Sequence, residues 1–140
     1  MSTRLENSSE TVARTPGRAS SIGVWSLQVV LAAIIAGGGI SKLAGDPVMV
    51  DMFAGIGAGQ WLRYLVGALE VVGGVGLLIP AQAGLASLGL AALLSGAVIT
   101  DQLVLEQSPW LPLALLVAAA VIAKARWSRT EAVVGTLLRR

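Results

Sequence analysis

The stretch from Ala19 to Ser41 carries no charge and is centred on VWSLQVVLAAIIAGGGI. A helix that crosses a bilayer needs about 20 mainly apolar residues, so this run narrows sharply what the chain can fold into. Three more apolar runs follow: Trp61 to Ile79, Gln82 to Leu105, and Trp110 to Arg126. Between Ala19 and Ala123 only Lys42, Asp46, Asp51, Arg63, Glu70, Asp101 and Glu106 are charged. Charged residues make up 13% of the chain, against roughly 25% in an ordinary globular domain. So few charges cannot cover the surface of a water-soluble domain. The 140 residues leave room for one domain.

The runs predict an all-α integral membrane four-helix bundle with spans at about 22–42, 60–79, 82–105 and 109–126. Pro80 in the segment PAQAG separates the second span from the third, and EQSP, Glu106–Pro109, is a polar hairpin before the fourth. The four tryptophans, Trp25, Trp61, Trp110 and Trp127, all fall at predicted helix ends. An indole favours the membrane–water interface, where its ring is buried and its N–H stays wet. Residues 1–20 are rich in Ser, Thr and Arg and are expected to be a disordered tail, with 21–127 the membrane domain and 128–140 a basic tail. The first apolar run is longer than a signal-peptide core and no small-x-small cleavage site follows it, so it reads as an uncleaved span.

Eight lysines and arginines flank the first and last spans: Arg4, Arg14, Arg18, Lys124, Arg126, Arg129, Arg139 and Arg140. Only Lys42 and Arg63 lie on the opposite side, which places both termini in the cytoplasm. The basic balance then belongs to tails that face anionic lipid, and nucleic acid is not expected as a partner.

The longest connection, about Leu43 to Gln60, contains a short helix. Asp46 caps it, Pro47 starts it, and Met49, Met52, Phe53 and Ile56 form one apolar face. It reads as an interfacial helix between spans one and two, either a plain connector or a lid over the bundle mouth. Within lipid, small residues let helix backbones approach, and Gly37, Gly67, Gly74 and Gly96 are the positions expected to carry that packing. The glycine-rich stretches are not phosphate loops, because no GxxxxGK[ST] pattern or strand–loop–helix context accompanies them.

Glu70 is the polar residue that most needs a reason. It lies about 15 Å down the second span, where an ionisable group costs roughly 2.5–3.5 kcal/mol on insertion scales. Arg63, Gly67, Glu70 and Gly74 share one face of that helix. The acid is either one half of a structural ion pair or a ligand or proton site. Lys42 and Arg63 are the cations within conceivable reach, and Lys42 is the preferred partner. Asp101, with Lys42, Arg63 and Glu106, is a candidate for a polar cluster at the outer mouth. Gln28 and Ser95 are expected to make interhelical hydrogen bonds. The chain contains no cysteine and no histidine. That excludes thiol chemistry, a Cys/His zinc site, a His-ligated haem and a Ser-His triad supplied by this chain. No catalytic residue, metal site or cofactor motif is evident.

Several of these residues carry a family likeness. GISKL (Gly39–Leu43), the connection with its short apolar helix, WLRYLVGALEVVGGVGLLIP (Trp61–Pro80) and the small-residue third span resemble the DoxX and DoxX-like membrane proteins over about residues 24–126. Glu70 in GALEVVGG matches the acid of the family's second helix, and Lys42 its lysine at the end of helix one. The resemblance implies a four-helix bacterial inner-membrane protein. It also implies a link to membrane redox, since the family name comes from a subunit of a thiosulfate:quinone oxidoreductase. Many relatives carry a histidine near the end of helix three, where this chain has TDQL, Thr100–Leu103, so histidine-dependent chemistry does not transfer.

Three functions are compatible with these readings. The first is a non-catalytic or accessory subunit of a quinone-linked membrane redox complex. The second is a small proton- or ion-coupled carrier that uses Glu70, as a homo-oligomer. The third is a subunit that itself holds quinone between helices, quinone being the one cofactor left open. The lack of Cys, His and a cofactor motif fits a partner role beside another membrane subunit better than a lone enzyme.

Overall fold

A computed structural model of the chain describes residues 18–140, so the expected disordered tail falls outside the described residues except for its last three, which begin the first helix. Six helices follow in order: α1 Arg18–Ala44, α2 Pro47–Ile56, α3 Gln60–Leu78, α4 Ala83–Leu103, α5 Trp110–Ala125 and α6 Trp127–Leu138. No strand occurs among the described residues.

Local chemistry sets most of the boundaries. Asp46 Oδ1 accepts the Val48 N–H at 2.9 Å at the start of α2, and Pro47 occupies the first turn, where no backbone donor is needed. Gly57 closes α2 at φ 78, a left-handed conformation that costs glycine little. The α3–α4 turn spans Ile79 to Gln82 around Pro80, and α4 stops at Leu103, before Glu106 turns the chain at φ 51.

α1, α3, α4 and α5 pack around one apolar core made by Leu31, Ala32, Ile35, Leu77, Leu90, Leu94, Ala119 and Ile122. α1 and α3 run antiparallel and form the most extensive pair, α4 packs on α5, and α3 on α4. The outside is apolar as well: Val30 is 55% exposed, Ile34 48%, Val72 69% and Val117 56%. A soluble fold seldom leaves such a continuous apolar surface in water; a lipid environment covers it without penalty.

Three helices, α1, α3 and α4, are long and apolar enough to cross a membrane. The expected fourth span, 109–126, differs. Its helix α5 has 16 residues, about 24 Å at the helical rise, and the chain bends by 70° into α6. α5 and α6 together make a fourth span only if the bent pair counts as one. Two side-chain hydrogen bonds hold the elbow. The Arg126 side chain turns inward to Gln28, and the Thr130 hydroxyl folds back onto the Arg126 carbonyl at 3.2 Å. Thr130 seats against Gly84 at the start of α4, where no side chain would fit. The expected basic tail, 128–140, is therefore mostly the helix α6.

Candidate functional site

The approach of α1 to α3 creates the polar centre. A Cβ placed on Gly39 would stand 2.7 Å from the Gly67 carbonyl oxygen, and one on Gly67 would stand 2.9 Å from the Gly39 carbonyl oxygen. The two glycines thus let the backbones touch. Two turns further down, a Cβ on Gly74 would meet Ala36 Cβ at 3.0 Å and the Ala32 carbonyl oxygen at 3.1 Å. The α1 glycine at the contact is Gly39 rather than Gly37, around which nothing lies within 4 Å. Gly96 likewise meets no neighbour within 4 Å and instead lines a cavity.

Beside the Gly39–Gly67 contact, Lys42 Nζ lies 2.9 Å from Glu70 Oε2 and 3.2 Å from Oε1. Both side chains are 14% exposed. The Cα–Cβ bonds of an α-helix tilt toward its N-terminus, so Lys42 near the end of α1 points back along the helix, down to the level of Glu70. The same rule sends Arg63 the other way. On the antiparallel α3, its side chain points toward the end of α1, away from Glu70. There it is 4% exposed and donates to the Lys42 carbonyl oxygen. Its Nε also donates to Gln60 Oε1 at 2.7 Å, and its guanidinium lies 4.3 Å from the centre of the Tyr64 ring. Arg63 thereby adds a donor to a carbonyl of the last turn of α1 that otherwise accepts only the Gly45 N–H, at 3.4 Å. Gln60 Nε2 ties the network to α2 through the Val50 carbonyl at 3.1 Å.

The ion pair forms one wall of a cavity of about 360 Å³. Met52, Phe53 and Ile56 of α2 roof it, and Asp101 of α4 adds a carboxylate to the lining. The remaining walls, among them Leu94, Ala97 and Leu115, are apolar. Leu111 at the rim is 67% exposed, so the cavity reaches the protein surface. Its size lies within the range of small-molecule sites, roughly 300–1,000 Å³. Lys42, Glu70 and Asp101 thus converge on one space, whereas Arg63 serves the helix end and Glu106 lies exposed in the α4–α5 turn. Chemically, the site offers an ammonium donor and carboxylate acceptors at one end of an apolar chamber.

A second polar centre joins the other ends of the same helices. Gln28, wholly buried, donates from Nε2 to the Leu77 carbonyl at 2.7 Å and accepts from Arg126 Nε at 2.8 Å. α1 thus caps the end of α3, as α3 caps the end of α1. Reading the sequence identified Gln28 as an interhelical residue but not its partner Arg126, 98 positions away; the only signal was an arginine at the end of an apolar run. Ser95 bonds within its own helix, to the Ala91 carbonyl at 2.8 Å, rather than between helices. The Gln60–Arg63 link was also missed, although a polar pair at i, i+3 could have suggested it.

No curated protein and no solved structure matches the chain. The sequence does match the model of the DoxX-like family over residues 26–126, a stretch that holds α2, α3, α4 and α5, the larger part of α1, and the polar centre and cavity just described. With its apolar outer surface and spanning-length helices, the chain is a membrane protein, and it belongs to the DoxX-like family.

Proposed function

We propose that this protein is an accessory subunit of a quinone-linked redox complex in a bacterial inner membrane, and that it holds a quinone head group in the cavity beneath α2. In this reading α1, α3, α4 and α5 cross the membrane as a four-helix bundle with both termini cytoplasmic. α2 lies in the outer interface as a roof over the site. The observation that carries the reading is the pairing of a charged, hydrogen-bonding end with apolar walls in one chamber. Lys42 Nζ supplies a donor for a carbonyl oxygen, and Asp101 an acceptor for a hydroxyl. Those are the two groups that distinguish a quinone from its quinol. The chain brings no cysteine or histidine, so electrons would come from a partner subunit, while the residues here bind and orient. A carrier that used Glu70 would need that carboxylate free to exchange protons. Lys42 engages both oxygens of Glu70, which favours the binding role.

The test measures quinone retained by the full chain in lipid nanodiscs after free quinone is removed, quantified by extraction and chromatography. The expected result is an excess of about one short-tailed benzoquinone per chain over empty nanodiscs, lost in Ala97→Phe, which fills the chamber, and reduced in Lys42→Met. Uptake equal to that of empty nanodiscs would refute the reading.

A further inference from the structure

The end of the molecule opposite this cavity carries a second concavity of about 220 Å³, lined by Ser21, Ile22 and Trp25 of α1, Pro80 of the α3–α4 turn, and Arg126 and Arg129 of the α5–α6 elbow. Gln28 holds Arg126 by its Nε alone. Among the described residues, its two terminal amino groups and the whole Arg129 guanidinium engage no acceptor. Arg129 stands one turn along α6, close enough for the two positive charges to repel. An anion between them would relieve that repulsion. Nearby charge has the same sign: Lys124 lies in the last turn of α5, and the one acid of α6, Glu131, accepts from the Trp127 indole.

We propose that the α5–α6 elbow is a binding site for the phosphodiester of an anionic phospholipid, with Arg126 and Arg129 on the phosphate and Trp25 and Ile22 against the glycerol and upper acyl chain. A guanidinium pairs with two phosphate oxygens at once, and basic pockets between membrane helices suit anionic head groups. Trp25 is 42% exposed and Ile22 64%, so an apolar flank lies beside the cationic one, as a lipid at the interface requires. The lining contains no carboxylate. A zwitterionic head group would therefore leave its ammonium without a partner. Free phosphate shares the anionic chemistry but gains nothing from the indole and isoleucine.

The experiment uses the full chain in neutral maltoside detergent, with dioctanoyl phosphatidylglycerol, dioctanoyl phosphatidylcholine or inorganic phosphate added, and reads apparent affinity from thermal stabilisation. Phosphatidylglycerol should stabilise saturably, and the other two should not. Arg129→Gln should weaken its binding about fivefold, the worth of one arginine near a membrane surface. Arg139→Gln, with the same loss of charge away from the elbow, should weaken it less than twofold. Equal binding of phosphatidylcholine would overturn the site, as would equal loss in the two variants, which marks bulk attraction. Stabilisation by phosphate alone to the same extent would overturn the lipid assignment. The wild-type comparison of lipids decides the matter even if a variant fails to fold.

Discussion

Replacing Gly67 with alanine tests the packing of α1 against α3 with a single methyl group. The new carbon would stand 2.9 Å from the Gly39 carbonyl oxygen, 3.0 Å from Lys42 Cβ and 3.1 Å from Leu43 Cγ. Ordinary contact begins near 3.4 Å, so the helices must part by about half an ångström. Overpacking of this kind costs about 1–3 kcal/mol. The upper half applies here, because a helix carbonyl cannot swing aside as a side chain can. Alanine favours a helix over glycine by about 1 kcal/mol, which leaves a net loss of about 1–2 kcal/mol. Gly37→Ala gains the same propensity and meets nothing within 4 Å, so it should be neutral or stabilise by up to about 1 kcal/mol. Two chemically identical changes on facing helices should thus differ by about 2 kcal/mol, or roughly thirtyfold in the unfolding equilibrium. The assay is titration of maltoside-solubilised protein with sodium dodecyl sulfate, followed by far-ultraviolet circular dichroism. If Gly67→Ala unfolds at the same detergent fraction as Gly37→Ala, the close approach at Gly67 is wrong.

Glu70→Gln leaves Lys42 charged and unpaired; a fully buried pair loses about 3–5 kcal/mol this way, and this pair, 14% exposed, should lose less, about 1–3 kcal/mol; the same titration should show Glu70→Gln with Lys42→Met recovering part of that loss, and a double variant no better than the single one would exclude the pairing. Gln28→Ala strips a partner from both the Leu77 carbonyl and Arg126 and should destabilise by about 2–3 kcal/mol, whereas Ser95→Ala, which removes a bond within one helix, should cost less than about 1 kcal/mol. Single cysteines at Ser108 and Ser128, both exposed and in a chain with no cysteine of its own, should label from opposite sides of the membrane, Ser108 from outside intact cells; labelling of both from outside would reject the proposed orientation.

The helix ends were readable in the sequence because they follow from local chemistry. Apolar run length, the Asp46–Pro47 start and the borders at Trp61 and Trp110 place α2 to α5 within a few residues of where they stand, whereas α1 begins at Arg18, two turns before Trp25. Which faces meet was not readable. In water, a polar stripe marks the outside of a helix; in lipid the outside is as apolar as the core, so periodicity no longer points inward. That is why Gly37 and Gly39 could not be told apart on α1, and why only the structure selects Gly39. The elbow after α5 was equally hidden, because the residue that holds Arg126 there is a glutamine 98 positions earlier.

Glu70 shows the division most clearly. Its presence within an apolar run called for a reason, either a partner or a functional role, because of the cost of a bare carboxylate at that depth. Spacing left both Lys42 and Arg63 as candidates, with Lys42 preferred. The antiparallel arrangement of α1 and α3 decides between them, since side chains lean toward the start of their own helix. Lys42 leans down toward the acid and Arg63 leans away to close the end of α1. The composition of a span dictates that a charge be answered; the direction and rotation of the neighbouring helix dictate which residue answers it.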